Sequence, residues 1–464
     1  MEHQEDQWRL KYHLMPETGW LNDPNGAVQF NGKYHIYYQY VPEDPNGGAT
    51  HWGHQTSTDL VHFHQEPIFM SPDQTFDIDG VYSGGSIVHD EVIHYFYTGN
   101  VKKPGDYDYI YNGREQNVVH VTSRDGYTVD KREVVIPHAE FPDGYTDHIR
   151  DPKIIEDNGN FYMVLGARRC DNRGSILLYV SENLEDWDFK GELIVAEDDE
   201  GYMWECPDLL FIDGQAILIY SPQGILPTEY KYQNTHVAGY RFGDVDFEAA
   251  TFTPTGEFYE LDYGFDFYAP HTFEDEAGRR IQLAWMGLGD TMPEYTNPTI
   301  NRGWQHALTI PRELTIEAGK LYQRPFHEYE GLRQEGVQTN VNDQFTVENI
   351  NDIYEAVVEL PEQESFEIRF GEDSQLVFED KKLALSHGPS GYGRRKRIIE
   401  VDAVSNIQLF VDTSAVEIYI NDGEYVMSSR YYPSENADLR LELYGKAQVT
   451  YYPLIPSKDY KGAN

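Results

Sequence analysis

The sequence predicts an all-β protein, a five-bladed β-propeller followed by a C-terminal β-sandwich, and three observations predict it. Aromatic residues make up 14% of the chain, with 36 Tyr, 22 Phe and 7 Trp, which suits strands better than helices. One hairpin layout recurs five times between Asn22 and Gly287. That period stops after Arg312, where strands of a different spacing follow. A chain of 464 residues also exceeds what one core usually serves, so two domains are expected.

The repeats read in order. The first, NDPNGAVQFNGKYHIYYQY, starts at Asn22 and turns on Asn31-Gly32, a dipeptide that favours tight hairpins. The second is YSGGSIVHDEVIHYFYTGN from Tyr82. The third, RDPKIIEDNGNFYMVLGA from Arg150, turns on Asn158-Gly159, and the fourth, ECPDLLFIDGQAILIYSP from Glu205, on Asp213-Gly214. The fifth is YAPHTFEDEAGRRIQLAWMG from Tyr268. Between Asp23, Ser83, Asp151, Pro207 and Pro270, taken as equivalent, the steps are 60, 68, 56 and 63 residues. A second marker, STDLVHF at Ser57, SRDGYTV at Ser123 and SENLEDW at Ser181, keeps the same period. A hairpin unit of this size cannot bury both faces alone, and radial stacking of four-stranded blades is the usual all-β solution.

The predicted domains are a propeller over 1–318, a linker over 319–336 and a sandwich over 337–464. The linker contains Pro325, and the sandwich contains alternating runs such as IQLFVDTSAVEIYINDGEYVMSS with a turn at Asn421-Asp422-Gly423. The basic cluster Arg394, Arg395, Lys396 and Arg397 lies beside the glycine-rich GPSGYG and reads as a solvated loop.

A formal charge of -43 would repel phosphate backbones and anionic membranes, so neither nucleic acid nor membrane is an expected partner. Cys170 and Cys206 are too few for a disulfide framework, and MEHQEDQWRL lacks the apolar stretch of a secretory signal, so the expected location is cytoplasmic. His51, His54, His62 and His64 fit no zinc spacing, and neither metal nor cofactor is assigned. Oligomeric state is not readable.

In a propeller, equivalent positions of every blade face one axis, so the repeat starts should converge on one channel mouth. Those starts carry Asn22 and Asp23, Tyr82 and Ser83, Arg150 and Asp151, Glu205, and Tyr268 and His271. An Asp before Pro-Asn-Gly is by itself a turn former, and Arg-Asp before Pro is often a surface ion pair. Turn chemistry does not explain carboxylates at nearly one phase of three blades. A binding-only propeller would have no use for all three.

The same residues carry a family resemblance over nearly the whole length. GWLNDPNG, YYQY, HWGH, YSGGS, RDP, MWECPDL, FYAP and GWQHALTIPREL, in that order, closely resemble glycoside hydrolase family 32, the invertases, sucrose-6-phosphate hydrolases and fructan hydrolases. The resemblance implies a retaining β-fructofuranosidase acting on a small sugar such as sucrose, with Asp23 as nucleophile, Glu205 as acid/base and Asp151 as transition-state stabiliser. Asn22, Gln39, Trp52, Ser83, Arg150, Tyr268 and His271 would hold the substrate. Fructosyl transfer and an inverting arabinan-type hydrolysis are the enzymatic alternatives. Departures from the family pattern are Leu21 for Met, SGGS for SGSA, and His271 for the Gln that usually follows FYAP, a change expected to alter the leaving-group side. An acid catalyst at Glu205 should have a raised pKa, helped by neighbouring negative charge and the adjacent Trp204. For a phosphorylated leaving group, Lys102, Lys103 and Arg173 are the cations expected nearby.

Overall fold

The computed structural model describes residues 6–347, 350–361 and 365–457. The outer ends of both predicted domains, residues 1–5 and 458–464, lie outside the described residues. Five antiparallel sheets follow one another along the chain, and two six-stranded sheets complete it. The innermost strands of the five sheets are Gly19–Phe30, Val81–His89, Tyr145–Asp157, Met203–Ile212 and Tyr268–Glu274. Each packs against the innermost strand of the next sheet, and the fifth packs against the first, so the five close into a ring. Closure is reinforced by Trp304–Gln305, which pairs in parallel with Gly19 and Trp20 and adds a late strand to the first sheet.

The marker expected in three repeats has one structure in all three. Ser57, Ser123 and Ser181 each end a third strand, and their hydroxyls accept from the backbone N–H of Leu60, Gly126 and Leu184. Asp59, Asp125 and Asn183 then accept from the following two amides. These side chains supply the hydrogen bonds that a backbone leaving its sheet gives up. The αL residue at the turn is Leu60 (φ 58°), Gly126 (φ 76°) and Leu184 (φ 64°).

Two boundaries differ from the sequence reading. Lys320–Pro325 pairs with Arg312–Glu317 as the outer strand of the fifth sheet, so the propeller runs through 325 and not 318. A short 3-10 helix, His327–Leu332, then leads to the first sandwich strand, Val337–Val341. The second difference is the basic cluster. Arg394 is fully buried and grips Asp266 of the propeller through Nε and Nη2, both at 2.7 Å, while Arg397 reaches Asn234 and Glu294. Only Arg395 and Lys396 face solvent. A rigid guanidinium fork can enter an interface if carboxylates meet it there, which hydropathy along one strand does not reveal.

Further polar groups join the two domains. Arg312 of the propeller donates to Asp262 (3.0 Å) and to Glu417 of the sandwich (2.7 Å), all fully buried. Glu417 also faces His13, which bridges to Asp412. An apolar cluster including Leu21, Ile36 and Ile310 with Phe410, Tyr419 and Val426 surrounds them.

Candidate active site

Every innermost strand carries one extra residue at the same height. The register slips between Leu21 and Pro24, Val81 and Gly84, Arg150 and Lys153, Glu205 and Asp208, and Tyr268 and His271. A bulge bends the strand and re-aims its side chains, and five bulges at one level around a ring aim them at one place. In the last three blades the middle residue takes a left-handed conformation: Asp151 (φ 66°), Cys206 (φ 47°) and Ala269 (φ 46°). The catalytic candidates therefore do not share one phase. Asp23 is the third, Asp151 the second and Glu205 the first residue of its bulge, so the recurring unit is the bulge and not the acid.

The bulges line a cavity of 340 Å³ whose walls include Asn22, Asp23, Gln39, Tyr82, Ser83, Arg150, Asp151, Glu205, Cys206 and Tyr268. A larger cavity of 1040 Å³ lies among later residues of the same strands, such as Val28, Val88, Ile155 and Leu210, and contains none of the three acids. Two of the ten predicted site residues are outside the site cavity. Trp52 is buried in an aromatic cluster with Tyr37, Tyr95 and Tyr97 and donates to the Tyr82 carbonyl at 3.0 Å. It supports the second bulge from behind. His271 sits past its bulge, buried, where burial and the charge of Lys153 lower its pKa to about 3. Lys153 also accounts for the change at SGGS, because a Cβ at Gly85 would stand 2.8 Å from its Cδ. The His271 and Gly85 departures therefore lie beside the buried Lys153 and outside the site cavity.

The acids are held by neighbouring blades. Asp23 accepts from Ser83 Oγ (2.5 Å) and Asn22 Nδ2 (3.1 Å), and Gln39 Nε2 donates to Ser83 Oγ (2.7 Å). Burial raises the Asp23 pKa, against the pull of the Ser83 and Asn22 hydrogen bonds and with added repulsion from Glu205. Asp151 accepts from the Cys206 backbone N–H at 2.9 Å, and its pKa is raised to about 7 by burial, opposed by Arg150 and helped by Glu205. The Cys206 thiol, whose own pKa is pushed well up by burial, stays protonated between the two aspartates, 3.7 Å from Asp23 and 3.6 Å from Asp151.

Glu205 accepts from Arg150 Nη2 (2.6 Å), Gln223 Nε2 (2.8 Å) and Tyr268 OH (2.5 Å). Burial alone would raise its pKa, but the Arg150 charge and the Tyr268 and Arg150 hydrogen bonds outweigh that and lower it. This reverses the expectation of a raised value. Trp204 does not desolvate the carboxyl from inside the cavity, since it turns outward to stack on Tyr220 at 4.1 Å. Arg150 in turn is positioned by His148, whose Nδ1 accepts from Nη1 at 2.6 Å. The lining also includes Gln223, Cys206, Arg114, His236, Trp285 and Asp290, none of which was read from the sequence as a site residue. Cys206 lies next to Glu205, which was singled out there, whereas Gln223 and His236 come from strand ends and loops with no motif.

Acid-assisted cleavage of a glycosidic bond needs two carboxyl groups in different protonation states facing one sugar, and this fold supplies acids in differing environments inside one sugar-sized cavity. The protein is a glycoside hydrolase. Within that class it belongs to glycosyl hydrolase family 32. The family model described as Glycosyl hydrolases family 32 N-terminal domain matches residues 13–325, and Glycosyl hydrolases family 32 C terminal matches 329–453. A sucrose-6-phosphate hydrolase of Bacillus subtilis (strain 168) is 38% identical over 96% of this chain and 93% of its own length. A raffinose invertase of Escherichia coli is 36% identical over 94% of this chain and 92% of its own. Among solved structures, a sucrose-6-phosphate hydrolase from Lactobacillus gasseri superposes with a TM-score of 0.89 at 29% identity, covering 98% of this chain and 94% of that one. A Bombyx mori family 32 β-fructofuranosidase in complex with sucrose gives 0.86 at 28% identity, covering 97% and 95%.

Proposed function

We propose that the protein is a retaining β-fructofuranosidase that hydrolyses sucrose, sucrose-6-phosphate or short β-fructosides through a covalent fructosyl-enzyme. The observation that carries this reading is the convergence of Asp23, Asp151 and Glu205 on one cavity, with Cys206 between the two aspartates. Asp23 attacks the anomeric carbon of the fructosyl unit while the bond to the leaving oxygen breaks and Glu205 gives that oxygen its proton. Water then attacks the same carbon, Glu205 takes the proton, and Asp23 is released. Asp151, with a pKa near neutrality, pairs with the fructosyl hydroxyls as donor or acceptor.

Glu205 has to carry a proton when substrate is bound, yet Arg150 and Tyr268 favour its ionised form. Sugar hydroxyls that accept from Arg150 would weaken its hold on Glu205 and return the pKa upward.

The test is turnover of sucrose and sucrose-6-phosphate by Asp23→Ala and Glu205→Ala, with the anomer of newly released fructose followed by NMR. Each variant should lose at least about a thousandfold in kcat, with added azide partly rescuing Glu205→Ala. Wild-type turnover in either variant, or inverted product, would falsify the assignment. Trisaccharide as the main product would mark a fructosyltransferase. A cytoplasmic location belongs to the same reading, supported by two cysteines that are both free thiols, and cell fractionation tests it.

A further inference from the structure

This inference rests on the β-fructofuranosidase reading and concerns what its leaving group carries. Two arginines line the site cavity. Arg150 is committed, with Nη2 on Glu205 and Nη1 on His148. Arg114 is not. It opens the third strand of the second blade, Arg114–Ser123, and its backbone N–H donates to Asp147 Oδ2 at 3.0 Å. Its Nε is buried without a hydrogen-bond partner, and among the described residues no carboxylate oxygen lies within 4 Å of its guanidinium. Burial lowers its pKa, with Arg150 acting in the same direction and the Tyr82 hydroxyl and Asp147 opposing them.

The chain has 79 acidic and 36 basic residues, so carboxylates are plentiful, yet among the described residues none pairs with Arg114. Elsewhere in the fold, several arginines withdrawn from solvent meet carboxylates, as in Arg132 with Asp77, Arg312 with Glu417 and Arg394 with Asp266, while the buried Arg430 is satisfied by the Ser414 carbonyl and hydroxyl. A guanidinium left partly desolvated without a counter-charge, and beside a second guanidinium, is unfavourable unless an anion completes it. The three acids disfavour an anion in their own part of the cavity, and Asp290 does so beside His236, which leaves the Arg114 and Tyr82 side. The cations expected from sequence do not compete for it. Lys103 is paired with Glu115 at 3.0 Å, Arg173 with Asp171 at 2.9 Å, and neither they nor Lys102 line the cavity.

We propose that Arg114 binds a phosphate ester carried by the leaving sugar, making it the residue that selects a phosphorylated β-fructoside over its neutral counterpart. The planar fork presents parallel N–H groups to two phosphate oxygens, and Tyr82 supplies a further donor.

The experiment compares kcat/KM on sucrose-6-phosphate and on sucrose. Wild type should favour the phosphorylated substrate. Arg114→Gln should lower the ratio of the two values at least about tenfold, the loss of one charge-assisted hydrogen bond. Arg114→Lys should keep part of the ratio, and Lys103→Gln should leave it unchanged. A purely structural role for Arg114 would depress both substrates together and hold the ratio constant, which overturns the proposal. So would a wild type with no preference for the phosphate. Should Arg114→Gln fail to fold, inhibition of wild-type sucrose turnover decides: glucose 6-phosphate inhibiting no better than glucose overturns it. A wild type that cleaves neither substrate instead rejects the β-fructofuranosidase reading itself.

Discussion

At the scale of single residues, the site works by differences between similar groups. Tyr268 and Ser83 each donate to one of the two catalytic carboxyls, and both donations favour the charged form. Removing either raises the pKa of its partner, with opposite effects on activity. Glu205 must be protonated to act, so Tyr268→Phe should move the alkaline limb of the pH-rate profile to higher pH. Asp23 must be ionised, so Ser83→Ala should also move the acid limb to higher pH, which narrows the active range. Profiles of kcat/KM against pH check both, and an unmoved alkaline limb in Tyr268→Phe would exclude Glu205 as the acid. The three acids were legible in the sequence because each sits in a motif with a turn signal beside it. Their protonation was not, because Arg150, Tyr268 and Gln223 reach Glu205 from other strands. Trp52 and His271 were misplaced for a related reason: spacing says that a residue lies near a strand start, but not on which side of a bulge it falls.

At the scale of elements, the hairpins and their turns were readable from Asn-Gly and Asp-Gly pairs and from alternation. The bulges were not, since one extra residue leaves no trace in composition. They are nevertheless what gathers the site. Gly84 ends the second bulge, and a Cβ there would lie 1.8 Å from the Phe96 carbonyl oxygen of the neighbouring strand. Gly84→Ala should therefore force the strands apart, costing about 1 to 3 kcal/mol or more. It should also shift Ser83 away from Asp23. A lowered melting temperature together with a displaced acid limb would be the expected pair of results. Normal stability and a normal profile would show that the bulge tolerates a side chain.

At the scale of the whole molecule, propeller and sandwich were separable in the sequence by period, but the contacts that join them were hidden. Arg394 and Arg397 looked like a solvated run because their partners Asp266 and Glu294 are over 100 residues away along the chain. Arg312 shows the same dependence. Replacing it with Ala leaves Asp262 buried without a counter-charge and Glu417 with His13 alone, which should cost about 3 to 5 kcal/mol. Thermal unfolding with intrinsic fluorescence would measure this, and a melting temperature within error of wild type would show that the buried ions are solvated by other means.

Ring closure also sets an order of events in time. Asp23 and the strand that bears it leave the ribosome early, yet Trp304 and Gln305, which pair with the start of that strand, are made some 280 residues later. At typical rates of synthesis that interval is about 15 to 60 seconds. Through it the nascent first blade has an unpaired inner edge, and for about the first 180 residues of it neither Glu205 nor Cys206 has yet been made. The ring thus closes only once about two-thirds of the chain has been made. A polypeptide interrupted anywhere before residue 305 would be left with an open, adhesive margin, a natural target for chaperones.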